Sequence, residues 1–133
     1  MGPPVVLLAC LLALAAGGCG TGDREEDAAA TAERFHAALE QGDGAAACGE
    51  LAEETASKLE QEEKKPCEEA VLELELPKGG TVSYERVEGR SAEARLTEGS
   101  SDFLDEGADG WKVSASGCEP TTPEQPYDCE LEG

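Results

Sequence analysis

Apolar residues recur at helical spacing in the first half of the chain. Between residues 23 and 41 they follow one another at intervals of four, three and four: Ala28, Ala32, Phe35 and Leu39. This spacing predicts an amphipathic helix, which acidic residues in its first turn favour and which Gly42 ends. His36 follows Phe35, so its side chain points about 100° away, toward the flank of the apolar stripe. We expect His36 to be partly exposed and without a catalytic role.

Three shorter helices are expected next. Asp43 is suited to cap a helix over residues 45–51, and Gly49 with the polar residues 53–55 indicates a break before an apolar line continues to residue 60. Pro66 at a helix start and the apolar residues that follow predict another helix over residues 67–74, which ends before Pro77.

The hydrophobic period changes to two after a turn at residues 78–80. Alternation predicts a hairpin over residues 82–96, a short strand over 101–104 and a longer strand over 111–115. The positions expected to face inward are Val82, Tyr84, Ala92, Ala94, Leu96, Trp111 and Val113. Helices followed by an antiparallel sheet describe an α+β domain with the helices packed on one face of a curved sheet. Tyr84, Trp111 and Phe35 are the candidate pocket residues between these layers.

The N-terminal stretch has a different pattern. Residues 5–16 are continuously apolar, which is the length of a signal-peptide core and too short to span a bilayer. The run ends in Gly17-Gly18-Cys19 and so resembles a bacterial lipobox, which implies that the Cys19 thiol takes a diacylglycerol and that the protein is held to the membrane by this lipid. We expect a signal peptide over 1–18, a flexible tether over 19–27 and one domain over 28–133. An ordinary secretory peptide is the alternative.

Charge narrows the range of partners. The chain of 133 residues carries 30 acidic and 10 basic residues, a formal net charge of −20, and all of them follow Cys19. Such acidity argues against nucleic acid, which needs a cationic surface, and against electrostatic adhesion to anionic lipid. The acidic clusters lack the ligand pattern of a calcium loop, so we interpret them as a solvated surface.

Four cysteines remain once Cys10 in the apolar run and Cys19 are set aside: Cys48, Cys67, Cys118 and Cys129. An even number outside the cytoplasm predicts two disulfides, and three pairings are open. The near-neighbour pairing, Cys48 with Cys67 and Cys118 with Cys129, is favoured because each half of the chain then closes on itself. There is no CxxC pair, and the single histidine is distant from any cysteine, so no metal site is expected.

The C-terminal segment 117–129 contains three prolines and is expected to be a disulfide-closed loop that covers an edge of the sheet. A recognition surface is the less favoured interpretation. With the order of elements, the pieces Phe103-Leu104, Gly110-Trp111-Lys112-Val113 and Pro126-Tyr127-Asp128-Cys129 resemble small actinobacterial lipoproteins with an NTF2-like, cystatin-like domain. That resemblance implies a cone whose mouth holds a small apolar ligand or a side chain of a partner.

Catalytic motifs are not found in the sequence. It holds no nucleophile elbow, phosphate-binding loop or HExxH, and Ser114 and Ser116 are expected to point outward. We therefore expect a lipid-anchored binding or interaction module on the extracytoplasmic face of the cell membrane, neither an enzyme nor dependent on a cofactor. Two alternatives stay open: an NTF2-like enzyme acting on a small apolar substrate through Tyr84 and His36, and an accessory subunit that docks a cell-envelope protein through the loop 120–127.

Overall fold

The computed structural model describes residue 2 and residues 21–133. The apolar run 5–16, Cys10 and Cys19 therefore lie outside the described residues. Four helices come first in the described chain: α1 (Thr21–Glu40), α2 (Gly44–Gly49), α3 (Glu53–Glu63) and α4 (Cys67–Glu73). The predicted break between α2 and α3 is confirmed. Asp43 caps α2 by accepting a hydrogen bond of 3.0 Å from the backbone N–H of Ala46.

The flexible tether predicted for residues 19–27 is wrong from residue 21 onward, because these residues form the first turns of α1. Arg24 supplies the physical reason. Its guanidinium forms an ion pair of 3.2 Å with Glu106 and lies 5.5 Å from the ring centroid of Trp111. Contacts with residues more than eighty positions away hold this segment on the sheet, and sequence composition alone does not reveal them.

The second half of the chain forms a six-stranded antiparallel sheet that is not closed. Its strands are β1 (Val82–Glu88), β2 (Ser91–Leu96), β3 (Ser101–Gly107), β4 (Gly110–Pro120), β5 (Tyr127–Asp128) and β6 (Leu131–Glu132). The strand order is β1-β2-β3-β4-β5, and β6 pairs with β4. The predicted α+β class is confirmed. The expected covering of a sheet edge by segment 117–129 is found only in part: β5 in that segment pairs with residues 119–120 of β4, whereas residues 115–116 are covered by β6, which lies beyond it.

The helices cover one face of the sheet, which we call the inner face. Buried apolar residues of α1 pack against the inward residues of the strands to form the core. They include Ala28, Ala32, Phe35, Ala92, Ala94, Leu104, Trp111 and Val113. The opposite face, called the outer face, carries no helix. Residues such as Glu93 and Phe103, which are paired across β2 and β3, lie on it.

Tyr84 is a correction to the predicted inward set. The pairing of β1 with β2 shifts register between Val82 and Tyr84, so Val82 pairs with Leu96 whereas Tyr84 pairs with Arg95. One extra residue in a strand transfers every following side chain to the other face. Tyr84 consequently lies on the outer face, 41% exposed, with the Arg95 guanidinium 5.1 Å from its ring centroid.

Two disulfides close the two halves of the domain in the predicted pairing. Cys48–Cys67 joins α2 to the start of α4, and Cys118–Cys129 joins β4 to the residue after β5. Each bridge contributes on the order of 3 kcal/mol by restricting the unfolded chain, which matters in a domain with a small apolar core.

Candidate functional site

A fully buried polar network links the helices to the inner face. His36 on α1 donates from Nε2 to Oδ2 of Asp102 on β3 at 2.7 Å, and the other Asp102 oxygen, Oδ1, accepts from the Ser116 hydroxyl on β4 at 2.6 Å. The second ring nitrogen, Nδ1, lies 2.6 Å from the carbonyl oxygen of Pro77. His36, Asp102 and Ser116 are all 0% exposed. We call these three side chains, with the Pro77 carbonyl, the buried network.

The buried network favours a charged imidazole. A carbonyl oxygen only accepts, so Nδ1 must carry a hydrogen, and Nε2 carries one when it donates to Asp102. Burial lowers the pKa of His36, but the hydrogen bond and negative charge of Asp102, the Pro77 carbonyl and the charge of Glu98 together outweigh it. The pKa of His36 is therefore raised above its ordinary 6.5.

The order of the groups decides what the buried network can do. A serine nucleophile needs its hydroxyl beside a histidine nitrogen that can accept the proton. Here the Ser116 hydroxyl is bonded to Asp102 instead, and each nitrogen of His36 is already bonded to an oxygen. This arrangement stabilises the contact of α1 with β3 and β4, and it presents no group to a substrate.

The outward or partly exposed positions expected for His36 and Ser116 are wrong. The stripe of α1 is wider than its apolar residues indicate, because Asp102 gives an imidazole a partner inside the core. Asp102 is a residue that the sequence does not single out. In a chain with 30 acidic residues an isolated aspartate gives little signal, although its place inside a short strand is the one clue.

The three candidate pocket residues do not come together. Phe35 and Trp111 are buried in the core between α1 and the sheet, whereas Tyr84 lies on the outer face. Cys48, Cys67, Cys118 and Cys129 occupy the two disulfides. Cys19, the predicted lipidation site, lies outside the described residues.

The outer face holds a cavity of about 260 Å³. Its walls include Arg86, Glu88, Ser91, Glu93, Phe103 and Tyr127. Tyr127 reaches this site from β5, and its ring meets Phe103 edge to face, with centroids 4.8 Å apart. Because Cys129 is bonded to Cys118, the disulfide holds Tyr127 over the sheet. We call this feature the outer cavity.

Glu93 organises the polar side of the outer cavity. Its Oε2 accepts hydrogen bonds from the Ser101 hydroxyl at 2.8 Å, from the Tyr127 hydroxyl at 3.3 Å and from the Arg95 guanidinium at 3.3 Å. Among the described residues none donates to its second oxygen, Oε1, although the side chain is only 11% exposed. The outer cavity thus combines an aromatic pair with a carboxylate oxygen that has bonding capacity left.

A smaller apolar slot of about 110 Å³ lies where α1 ends, between Leu39, Val71, Leu72 and Leu76. The large hydrophobic side chains exposed in the described chain are Leu72, beside this slot, and Tyr84. Neither belongs to the loop 120–127, where an apolar patch would favour docking of an envelope partner.

Residues 21–133 contain no group of three or more side chains placed to hold a metal ion, and none of their helices is long and apolar enough to span a membrane. Comparison of the chain with protein-family models, with curated proteins and with solved structures finds no match.

Proposed function

We propose that the protein is a lipid-anchored binding module on the extracytoplasmic face of a cell membrane, and that its ligand site is the outer cavity. The observation that carries the binding role is the aromatic pair of Phe103 and Tyr127 beside Glu93, on a face that no helix covers. Sites of this kind combine apolar walls with a few fixed polar groups.

Two observations support the location. The run 5–16 followed by Gly17-Gly18-Cys19 supplies the signal for export and lipid attachment. Both pairs of remaining cysteines lie at bonding distance, and such bridges persist in oxidising compartments rather than in a reducing cytoplasm. An NTF2-like relationship is part of the proposal, supported by the order of helices before an antiparallel sheet.

The positions of the two residues on which the enzyme alternative depends support a non-catalytic role. His36 is inside the core with both nitrogens bonded, and Tyr84 is on the opposite face of the sheet. They cannot act on one substrate without unfolding of the layer between them.

Intact mass of the protein recovered from a membrane fraction tests the anchor. We expect a diacylated chain that begins at Cys19, with the other four thiols unreactive to alkylation until reduction. Cys19→Ala should leave the chain unlipidated and release it from the membrane fraction. An unlipidated wild-type chain with free thiols would contradict the proposed location.

Photo-crosslinking in intact cells tests the binding role. A benzophenone amino acid replaces Ser91, which lines the outer cavity, or Glu62, which is exposed on α3. We expect an envelope-derived mass adduct from position 91 that position 62 does not give. Equal adducts at both positions, or none at position 91, would contradict a ligand site in the outer cavity.

A further inference from the structure

We infer that the ligand of the outer cavity is an uncharged sugar ring, an inference that rests on the proposed function and specifies its ligand. Three properties of the cavity carry it: its charges are already paired, its polar groups both donate and accept, and its remaining wall is aromatic.

The pairing of charges argues against an ionic ligand. The Arg86 guanidinium lies 3.3 Å from a carboxylate oxygen of Glu88, and Arg95 lies 3.3 Å from Glu93. A charged ligand would compete with one of these partners, and the Arg86 and Glu88 side chains, 56% and 71% exposed, already have water around their charges. The net charge of −20 further disfavours an anion. A neutral ligand neither competes with these ion pairs nor meets the repulsion of the net charge.

The paired groups nevertheless retain hydrogen-bonding capacity. Arginine has five N–H donors and a carboxylate has about four acceptor sites, so Arg86, Glu88 and Glu93 each have more capacity than their ion pair uses. In particular, Glu93 Oε1 receives no hydrogen bond from the described residues. A hydroxyl group both donates and accepts. A ring that carries several hydroxyls is therefore a better match for these walls than a purely apolar molecule.

The aromatic wall and the size favour a sugar over a linear polyol. The C–H bonds on one face of a sugar ring have positive ends that pack against the negative face of an aromatic ring, here Phe103 or Tyr127. The cavity of about 260 Å³ lies just under the range of about 300–1,000 Å³ typical of ligand sites. It fits one ring rather than an extended oligosaccharide, and such a contact has a dissociation constant on the order of 1–10 mM.

Three sugars that share one ring test the inference: glucose, which is neutral, glucosamine, which is a cation at pH 6, and glucuronate, which is an anion. Each is titrated into the folded, disulfide-bonded domain while amide NMR shifts are recorded. We expect glucose to shift the amides of Ser91, Glu93 and Phe103, and to bind at least about fivefold more tightly than either charged sugar. Tighter binding of glucosamine or glucuronate, or no shift with any of the three at 100 mM, would overturn the inference.

Matched tyrosine variants localise the binding. Tyr127→Ala removes the ring from the outer cavity and should weaken glucose binding at least tenfold. Tyr84→Ala removes an exposed tyrosine of the same face that does not line the cavity, and should leave binding within twofold of the wild type. Unchanged amide shifts of Val71 and Val113 establish that the core is folded in both variants. Tyr127→Phe keeps the ring and serves if Tyr127→Ala does not fold; it should bind within about threefold of the wild type.

Different results would contradict the proposed lipid-anchored binding module and the proposed sugar ligand. If the cellular adduct at position 91 forms but glucose does not bind, the cavity takes another class of ligand and only the sugar inference is wrong. If glucose binds to the isolated domain but wild-type protein carries no lipid, the location is wrong and the ligand class stands.

Discussion

Asp102 and Glu93 lie on neighbouring strands of one sheet, and each carboxylate accepts hydrogen bonds from several side chains, but they face opposite sides. Asp102 is 0% exposed and both of its oxygens are bonded, one to His36 and one to Ser116. Glu93 is 11% exposed, and its three donors all converge on one oxygen. Both oxygens of the inner carboxylate are bonded, whereas one oxygen of the outer carboxylate has no donor among the described residues.

This difference follows from what covers each face. Helix α1 seals the inner face, so every polar atom there must be satisfied within the protein, and the described residues contain no buried side-chain nitrogen or oxygen without a partner. The outer face is covered in part by Tyr127, and water or a ligand completes the rest. A buried network in which every polar atom has a partner stabilises the fold, and a partly exposed carboxylate with one unbonded oxygen is suited to recognition.

The largest loss of stability is expected from Asp102→Asn. The substitution keeps the shape of the side chain but leaves the buried imidazole of His36 without its counter-charge. Removing one partner of a buried ion pair costs about 3–5 kcal/mol, so the urea midpoint of unfolding should fall sharply. Asp105→Asn is the control, because Asp105 is on the same strand but exposed. A loss below about 1 kcal/mol for Asp102→Asn would show that the buried network contributes little to stability.

The second largest loss of stability is expected from Gly44→Ala, because the helices above the inner face are closely packed. A Cβ at Gly44 on α2 would lie 1.9 Å from the backbone carbonyl oxygen of Glu68 on α4, so one of these helices must move. Gly44→Ala should therefore cost about 1–3 kcal/mol in thermal or urea unfolding. Gly49→Ala, in the same helix, meets no atom within 4 Å and should be nearly neutral. Equal effects of the two variants would contradict the tight α2–α4 contact.

The two faces also differ in how far their residues can be predicted from the sequence. Hydrophobic period alone predicts the helices, the hairpin and the inner strand residues such as Ala94 and Val113, because burial of apolar surface sets that pattern. It does not locate Tyr84, since the extra residue at the β1 bulge is decided by pairing with β2. The near-neighbour disulfides are predicted correctly because the loops are short.

Contacts between distant residues are the part that sequence does not reveal. His36 and Asp102 are 66 positions apart, and Glu93 and Tyr127 are 34 apart. Each residue has an ordinary interpretation by itself, as a helix-flank histidine or a surface acid. Only the register of β2 with β3, which places Asp102 opposite Ala94 and Phe103 opposite Glu93, assigns one acid to each face.

The titration of His36 should make stability depend on pH. The pKa of His36 is about 6.5 in the unfolded chain and higher in the folded protein. The contribution of His36 to the free energy of unfolding is therefore complete below pH 6.5, and it is lost as the pH rises through the folded pKa. For one proton, the free energy of unfolding cannot change by more than about 1.4 kcal/mol per pH unit. His36 is the sole histidine of the chain, so its ring resonances give the pKa without ambiguity.

His36→Gln is the control for that slope, and it should remove the pH dependence that lies between pH 6.5 and the folded pKa of His36. In Asp102→Asn the causes that raise the pKa are reduced while burial remains, so the pKa of His36 should fall. A pKa of His36 below 6.5 in the wild type would contradict the charged imidazole assigned to the buried network.

The smallest loss of stability is expected from Glu93→Gln, the counterpart of Asp102→Asn on the outer face. The amide keeps an oxygen for Ser101 and Tyr127 and loses only the charge opposite Arg95, whose side chain is itself 43% exposed. Pairs of that kind contribute up to about 1 kcal/mol, so the urea midpoint should change little. A loss as large as that of Asp102→Asn would mean that both carboxylates are needed for folding. In that case the unbonded oxygen of Glu93 would be a by-product of packing, and the two carboxylates would not differ in role, one for folding and one for binding.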